Sequence, residues 1–189
     1  MEILMIKKTL IEISNNFTLL SENCEVEINN ASKLMIKSLK KNKKIIYCGN
    51  GGSAADSQHL SAELLGRYKR NRRPLPAITL TTNSSTITAI ANDFSYEDIF
   101  SRQLEALGDS GDIFYAISTS GKSSNIIKAL HVANQMNIKV IGLTGADGGD
   151  MLKFCDVLIQ VPAKSADRIQ EMHIAVGHII CETIENALC

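Results

Sequence analysis

At 189 residues the chain is long enough to bury a core without disulfide or metal staples, and its 20 basic and 20 acidic residues cancel. A formal charge of zero gives no broad field toward nucleic acid or anionic lipid, so a compact ligand is favoured over a polyanion. Apolar runs reach only five or six residues, far short of the roughly 20 that cross a bilayer.

The first 43 residues read as two helices forming an N-terminal arm suited to assembly. Ile3, Leu10, Ile13 and Phe17 recur at helical spacing, and a second pattern runs through Val26, Ile28, Leu34, Ile36 and Leu39. From Lys44 onward strand-like runs alternate with helical ones. Strands are predicted at Lys44–Cys48, Ala77–Leu80, Ile113–Ile117, Val140–Leu143 and Val157–Val161, which specifies an α/β protein with a parallel sheet covered on both faces. The basic run Arg67–Pro74 reads as a solvated helix end with one or two arginines facing a ligand. Helical stretches follow at Ser84–Ala91 and Tyr96–Leu107, with a break at Asn92-Asp93, and a long final helix covers about Ala166–Leu188. The expected organisation is an arm over 1–43 and a sheet over 44–189, one domain overall. Cys24, Cys48, Cys155, Cys181 and Cys189 show no CxxC spacing and no signal peptide is evident, so reduced thiols and a cytoplasmic location are expected.

Twice an apolar, β-branched run ends in a loop of Ser, Thr, Gly and Asn: KIIYCGNGGSAAD (Lys44–Asp56) and DIFYAISTSGKSS (Asp112–Ser124). Glycine lets the backbone turn and approach a ligand closely, and the helix that follows offers unpaired N–H groups to an anion. The hydroxyls of Ser53, Ser118, Thr119, Ser120 and Ser123 can donate to phosphate oxygens without adding charge. Ligands in open α/β sheets gather outside the strand carboxyl ends, so the two loops together point to a phosphate cradle, most simply for a sugar phosphate. Two nucleotide readings fail on single residues. The G-x-G-x-x-G pattern from Gly49 requires glycine where Ala54 stands, and G-x-x-x-x-G-K-[ST] requires glycine where Ala116 stands.

His59 and Glu63 lie four residues apart, which puts both on one helix face with their heads close enough to share a proton or a metal ion. The last helix adds Gln170, Glu171, His173 and His178. A histidine inside an apolar stretch such as Val176–Ile180 is more often a core residue than a ligand, so His178 needs a partner group. If His59, Glu63, Gln170 and His178 surround one site, they offer imidazole, carboxylate and amide donors to a divalent ion such as zinc. Geometry objects: eight helical residues separate Gln170 from His178 by about 12 Å, whereas ligands of one tetrahedral ion lie about 3–4 Å apart. Either the final helix is distorted near Gly177 or, as the favoured expectation, residues from different subunits complete the site.

GNGGSAADSQH, Asn92-Asp93, FSRQLEALG, STSGKS, LTGxDGG and ADRIQEMH together resemble sugar isomerase (SIS) domain proteins, and more narrowly the sedoheptulose 7-phosphate isomerases, also called phosphoheptose isomerases. The likeness runs from about Lys44 to the C-terminus; the N-terminal helices match only in character. It implies a three-layer, flavodoxin-like sheet of five parallel strands and a homotetramer with sites at subunit interfaces. The implied reaction converts sedoheptulose 7-phosphate to D-glycero-D-manno-heptose 7-phosphate through an enediol, the first step of heptose synthesis for bacterial lipopolysaccharide or capsule. Implied substrate contacts fall on Asn50, Gly51, Gly52, Glu63, Asn92, Asp93, Ser118, Thr119, Ser120, Ser123 and Gln170, beside the hydroxyl of Ser53 read from the loop itself. Implied zinc ligands, one ion per subunit, fall on His59, Glu63, Gln170 and His178. Arg67 and Asp167 sit in matching segments. Moving one proton between adjacent carbons and another between their oxygens suits a carboxylate and an imidazole, so Glu63 is expected to shuttle the carbon-bound proton and His178 those on oxygen. A relative within the family binds a replication initiator and is not known as an isomerase. It keeps the Ser/Gly loops but lacks counterparts of Glu63 and His178, and because this chain has both, that adaptor reading stands second.

Overall fold

The computed structural model describes residues 2–189; Met1, the first residue of the expected arm, lies outside them. The arm is α1 (Glu2–Asn23) and α2 (Glu25–Leu39). Along α2, Ala31, Met35 and Leu39 recur every fourth residue, form one stripe and are fully buried. α1 behaves differently: Ile3 and Leu10 of the predicted pattern are 84% and 60% exposed, and only Phe17 and Leu20, near its end, reach the core.

Five strands follow: β1 (Ile45–Gly49), β2 (Ala77–Thr79), β3 (Ile113–Ile117), β4 (Lys139–Thr144) and β5 (Val157–Gln160), all parallel in the order β2-β1-β3-β4-β5. This is the flavodoxin-like order that the resemblance implied. Strand limits differ from the predicted ones by a residue: Leu80 leaves β2 yet still donates its N–H to the Tyr47 carbonyl at 2.9 Å.

Side chains alternate across the sheet. Ile45, Tyr47, Ile113, Tyr115, Ile141 and Leu143 pack beneath α2, α3 (Gly52–Leu65) and α7 (Ala166–Leu188), while Ile46, Cys48, Phe114, Ala116 and Val140 pack on the other face with α5 (Ser101–Leu107) and α6 (Ser124–Gln135). Covering both faces explains why the strands read as near-continuous apolar runs.

Two expectations are corrected. The predicted break at Asn92-Asp93 lies later, because α4 (Ser84–Asp93) runs through both residues, whose side chains bond each other at 2.9 Å. The chain turns at Phe94–Ser95, and Tyr96–Asp98 forms a separate 3-10 turn in which Ser95 Oγ donates to Asp98 at 2.6 Å. α7 is one uninterrupted helix, so the distortion near Gly177 does not occur. Gly177 is instead a point of close approach: a β-carbon there would collide with the Leu60 side chain of α3.

The chain leaves β1 toward β2 and returns on the other side of β1 as β3, with Gly49 in register with Ile117. That reversal makes β1/β3 the switch point of the sheet, and both Ser/Gly loops open side by side there.

Candidate active site

In the first loop Gly51 has φ +56° just before α3, a conformation that glycine adopts without steric cost. Gly52 serves closeness: a β-carbon would lie 2.6 Å from Gln170 Nε2, so its absence lets the Gln170 amide rest over the start of α3. Ser53 is buried and its carbonyl accepts from Ser57 Oγ at 2.8 Å. Asn50 and Asn125 form a reciprocal amide pair at 2.9 Å in both directions, and Tyr96 O–H donates to Asn50 Oδ1 at 3.1 Å. This pair ties the two loops together across the switch point.

In the second loop the Ser118 and Ser123 hydroxyls lie 3.1 Å apart, and Ser120 Oγ accepts from the Lys122 N–H at 3.2 Å. Thr119 and Ser120 line a cavity of about 340 Å³ with Lys122, Gly145, Asp147 and Lys164, which sets hydroxyl, amide and ammonium donors beside one carboxylate. Asn92 and Asp93 are elsewhere: Asp93 lines a separate cavity of about 570 Å³ with Thr79, Asn83 and Arg102.

Three other residues converge two to three turns along α3. His59 Nε2 lies 2.9 Å from His178 Nε2 and 3.4 Å from Glu63 Oε1, and the three donor atoms are within 4.8 Å of one another. The helical interval of four places His59 above Glu63, and the Leu60–Gly177 contact draws α7 close enough to add His178. The Tyr68 ring covers His178 at 5.8 Å. At 2.9 Å one Nε2 donates to the other, which places one proton between these atoms. A divalent ion can take that proton's place, and two imidazoles with a carboxylate form a fitting first-row set with coordination left open. Gln170 of the same chain is not brought into this cluster, since its amide rests over Gly52.

Asp56 lies one turn before His59. Its Oδ2 is buried without a hydrogen bond among the described residues, and burial pushes the carboxyl up to about 6, with His59 opposing. Asp167 pairs with Arg168 at 3.2 Å, and the Ser165 hydroxyl holds it below the usual carboxylate range. The basic run corrects another expectation: α3 ends at Leu65, so Arg67–Pro74 is a loop, and its Arg72 turns inward to Glu185 with only 3% of its side chain exposed. Asn125, Tyr96, Arg72 and Glu185 were missed in the sequence. Asn125, an amide directly after the serine loop, offered a signal; the others act across distances along the chain that no local pattern encodes.

The SIS domain family model matches residues 11–145. The phosphoheptose isomerase of Rhodospirillum rubrum is 52% identical over 167 residues, covering 88% of this chain and 89% of that protein. Among solved structures, phosphoheptose isomerase from Neisseria gonorrhoeae superposes with a TM-score of 0.93 at 38% identity, covering 98% of this chain and 100% of that one. The Francisella tularensis phosphoheptose isomerase gives a TM-score of 0.95 at 34% identity, covering 98% and 99%. The adaptor alternative gains no support from these relatives. Sequence, fold and the grouping of His59, Glu63 and His178 agree that the chain belongs to the phosphoheptose isomerase family of SIS domain proteins.

Proposed function

We propose that this protein isomerises sedoheptulose 7-phosphate to D-glycero-D-manno-heptose 7-phosphate. The observation that carries this reading is the His59–Glu63–His178 cluster, which provides a carboxylate and an imidazole within 4.8 Å in a fold whose loops offer a phosphate cradle. The substrate phosphate binds the hydroxyls of Ser118, Thr119, Ser120 and Ser123, with Asn50, Gly51, Gly52 and Ser53 facing the sugar; Gln170 completes its contacts. Glu63 takes the proton from C1 and returns it to C2 of the enediol, while His178 moves a proton from O1 to O2. Each transfer by a positioned side chain is worth about 10²–10⁴ in rate.

His59, Glu63 and His178 suit zinc, with Gln170 as the fourth donor. When bound, the ion supplies Lewis-acid polarisation of the carbonyl. Gln170 reaches the cluster only from a neighbouring copy, because its own amide lies over its own Gly52. Length supports the same arrangement. Glu63 lies eleven residues along α3 from Gly52, about 16 Å, whereas an open seven-carbon sugar phosphate spans about 10 Å at roughly 1.2 Å per bond. Cradle and cluster are accordingly proposed to come from different copies of a homotetramer. The exposed apolar face of α1 supports assembly, the free cysteines support a cytoplasmic location, and among the described residues no helix is long and apolar enough to cross a membrane. The product feeds heptose synthesis for lipopolysaccharide or capsule.

The test is to incubate the protein with sedoheptulose 7-phosphate, with and without zinc, and follow the aldose by NMR. Heptose phosphate should form, and Glu63→Gln and His178→Gln should each lose about two to four orders of magnitude while remaining folded. Near-normal turnover in either variant removes that residue from its role, and no product from the parent protein refutes the function.

A further inference from the structure

The basic run after α3 contains an arginine that the phosphate cradle does not use. The side chain of Arg72 is only 3% exposed, Glu185 two turns beyond His178 on α7 is buried, and the two side chains meet at 3.1 Å. We infer that Arg72 and Glu185 are positioning residues for the isomerisation, clasping the end of α3 that carries Glu63 to the stretch of α7 that carries His178.

The hydrogen bonds have direction. Arg72 Nη2 donates to the carbonyl of Glu63 itself at 2.7 Å, and Nη1 donates to Leu64 at 2.9 Å and to Arg73 at 3.1 Å. The last carbonyls of a helix lack intrahelical partners, so the guanidinium finishes α3 at the residue whose side chain enters the cluster. Glu185 does the complementary work. Its carboxylate accepts from the backbone N–H groups of Lys69 and Arg70 at 2.9 Å each and of Tyr68 at 3.2 Å. Tyr68 is thereby fixed where its ring covers His178. One ion pair thus sets the backbone of Glu63 and the wall behind His178.

Stability alone is a poor account of this pair, because the cost of desolvating a buried ion pair offsets much of its attraction. An apolar pair could fill the space but could not direct these six backbone groups. Lysine could not either, since one ammonium lacks the planar fork that reaches Glu185, Glu63 and Leu64 together. A misplacement of about 1 Å costs up to about a hundredfold in rate, which is the scale such a clasp controls.

The inference rests on Glu63 and His178 serving the proposed reaction, and the experiment separates the two. Arg72→Lys and Glu185→Gln are compared with Leu130→Ala, a cavity on the opposite face of the sheet. The readouts are kcat, KM, thermal midpoint and Co²⁺ affinity, the last followed by visible absorption as the ion is added to metal-free protein. The two clasp variants should lose about tenfold to a hundredfold in kcat, hold KM within about twofold and bind Co²⁺ more weakly. Leu130→Ala should lose thermal stability while keeping kcat and Co²⁺ affinity. Unchanged kcat and Co²⁺ affinity in the clasp variants, or an equal loss in Leu130→Ala, overturns the inference. If Arg72→Lys does not fold, Glu185→Gln carries the same test, because it keeps the volume and one acceptor oxygen. If the parent protein does not turn over the sugar phosphate, the functional reading has failed, and Co²⁺ affinity alone decides the clasp.

Discussion

His173 shows how far a single residue can depart from the role its neighbours suggest. It shares its helix with Gln170, Glu171 and His178, yet it is fully buried and neither ring nitrogen makes a hydrogen bond among the described residues. Burial pushes its imidazole down to about 4. The folded protein therefore keeps it neutral while the unfolded chain protonates it near pH 6.5. The unfolded state binds more protons between about pH 6.5 and 4, so this residue's contribution is complete above 6.5 and falls by up to about 3 kcal/mol as acid is added. Asp56 works in the opposite sense. Its carboxyl is raised to about 6, so the folded state takes the extra proton and gains stability as pH falls below that value. In urea titrations between pH 7 and 5, His173→Leu should remove the acid-side loss and leave the gain from Asp56 exposed. An unchanged pH slope in that variant would assign the loss to other groups.

At the scale of elements, the cluster depends on how closely α7 can approach α3. Gly177→Ala should push Leu60 aside, cost about 1–3 kcal/mol through overpacking and separate His178 from His59, lowering both Co²⁺ affinity and kcat. Adding Leu60→Ala should restore part of the affinity by reopening the space; a double variant no better than Gly177→Ala would show that the close contact does not set the cluster. The same contact explains what the sequence could convey. The i, i+4 interval of His59 and Glu63 is local and readable, and so are strands whose two covered faces make every position apolar. His178 is not readable in this way, because its partner lies 119 residues away. In a sequence, Gly177 looks the same whether it bends a helix or admits a neighbour, and the first meaning was the wrong one. The run containing Arg72 has the composition of a solvated loop, and only Glu185, 113 residues distant, turns one arginine inward.

At the scale of the molecule, the unmet demands of the chain point outward. Ile3, Leu4, Met5, Ile6, Leu10 and Ile11 leave an apolar face on α1, and a groove of about 590 Å³ lined by Phe17, Leu20, Ile28 and Ile179 lies between the arm and α7. Apolar patches of this kind on a soluble protein mark interaction surfaces. The proposed site makes a second demand, since Gly52 and Glu63 stand about 16 Å apart along α3 and the proposed reading takes cradle and cluster from different copies. If assembly answers both, a site-defective copy can be complemented by a different one. Ser118→Ala with Ser120→Ala removes the cradle hydroxyls, and Glu63→Gln removes the base; each homo-oligomer should be nearly inactive. Dissociated, mixed and reassembled, the two should regain activity, because some sites then pair an intact cradle with an intact Glu63. Sites contained within one chain forbid that recovery, since every copy in the mixture carries one defect. Leu10→Glu, placed on the exposed face of α1, should reduce the assembled mass in light scattering and lower activity with it, whereas a fully active monomer would remove the need for a second copy.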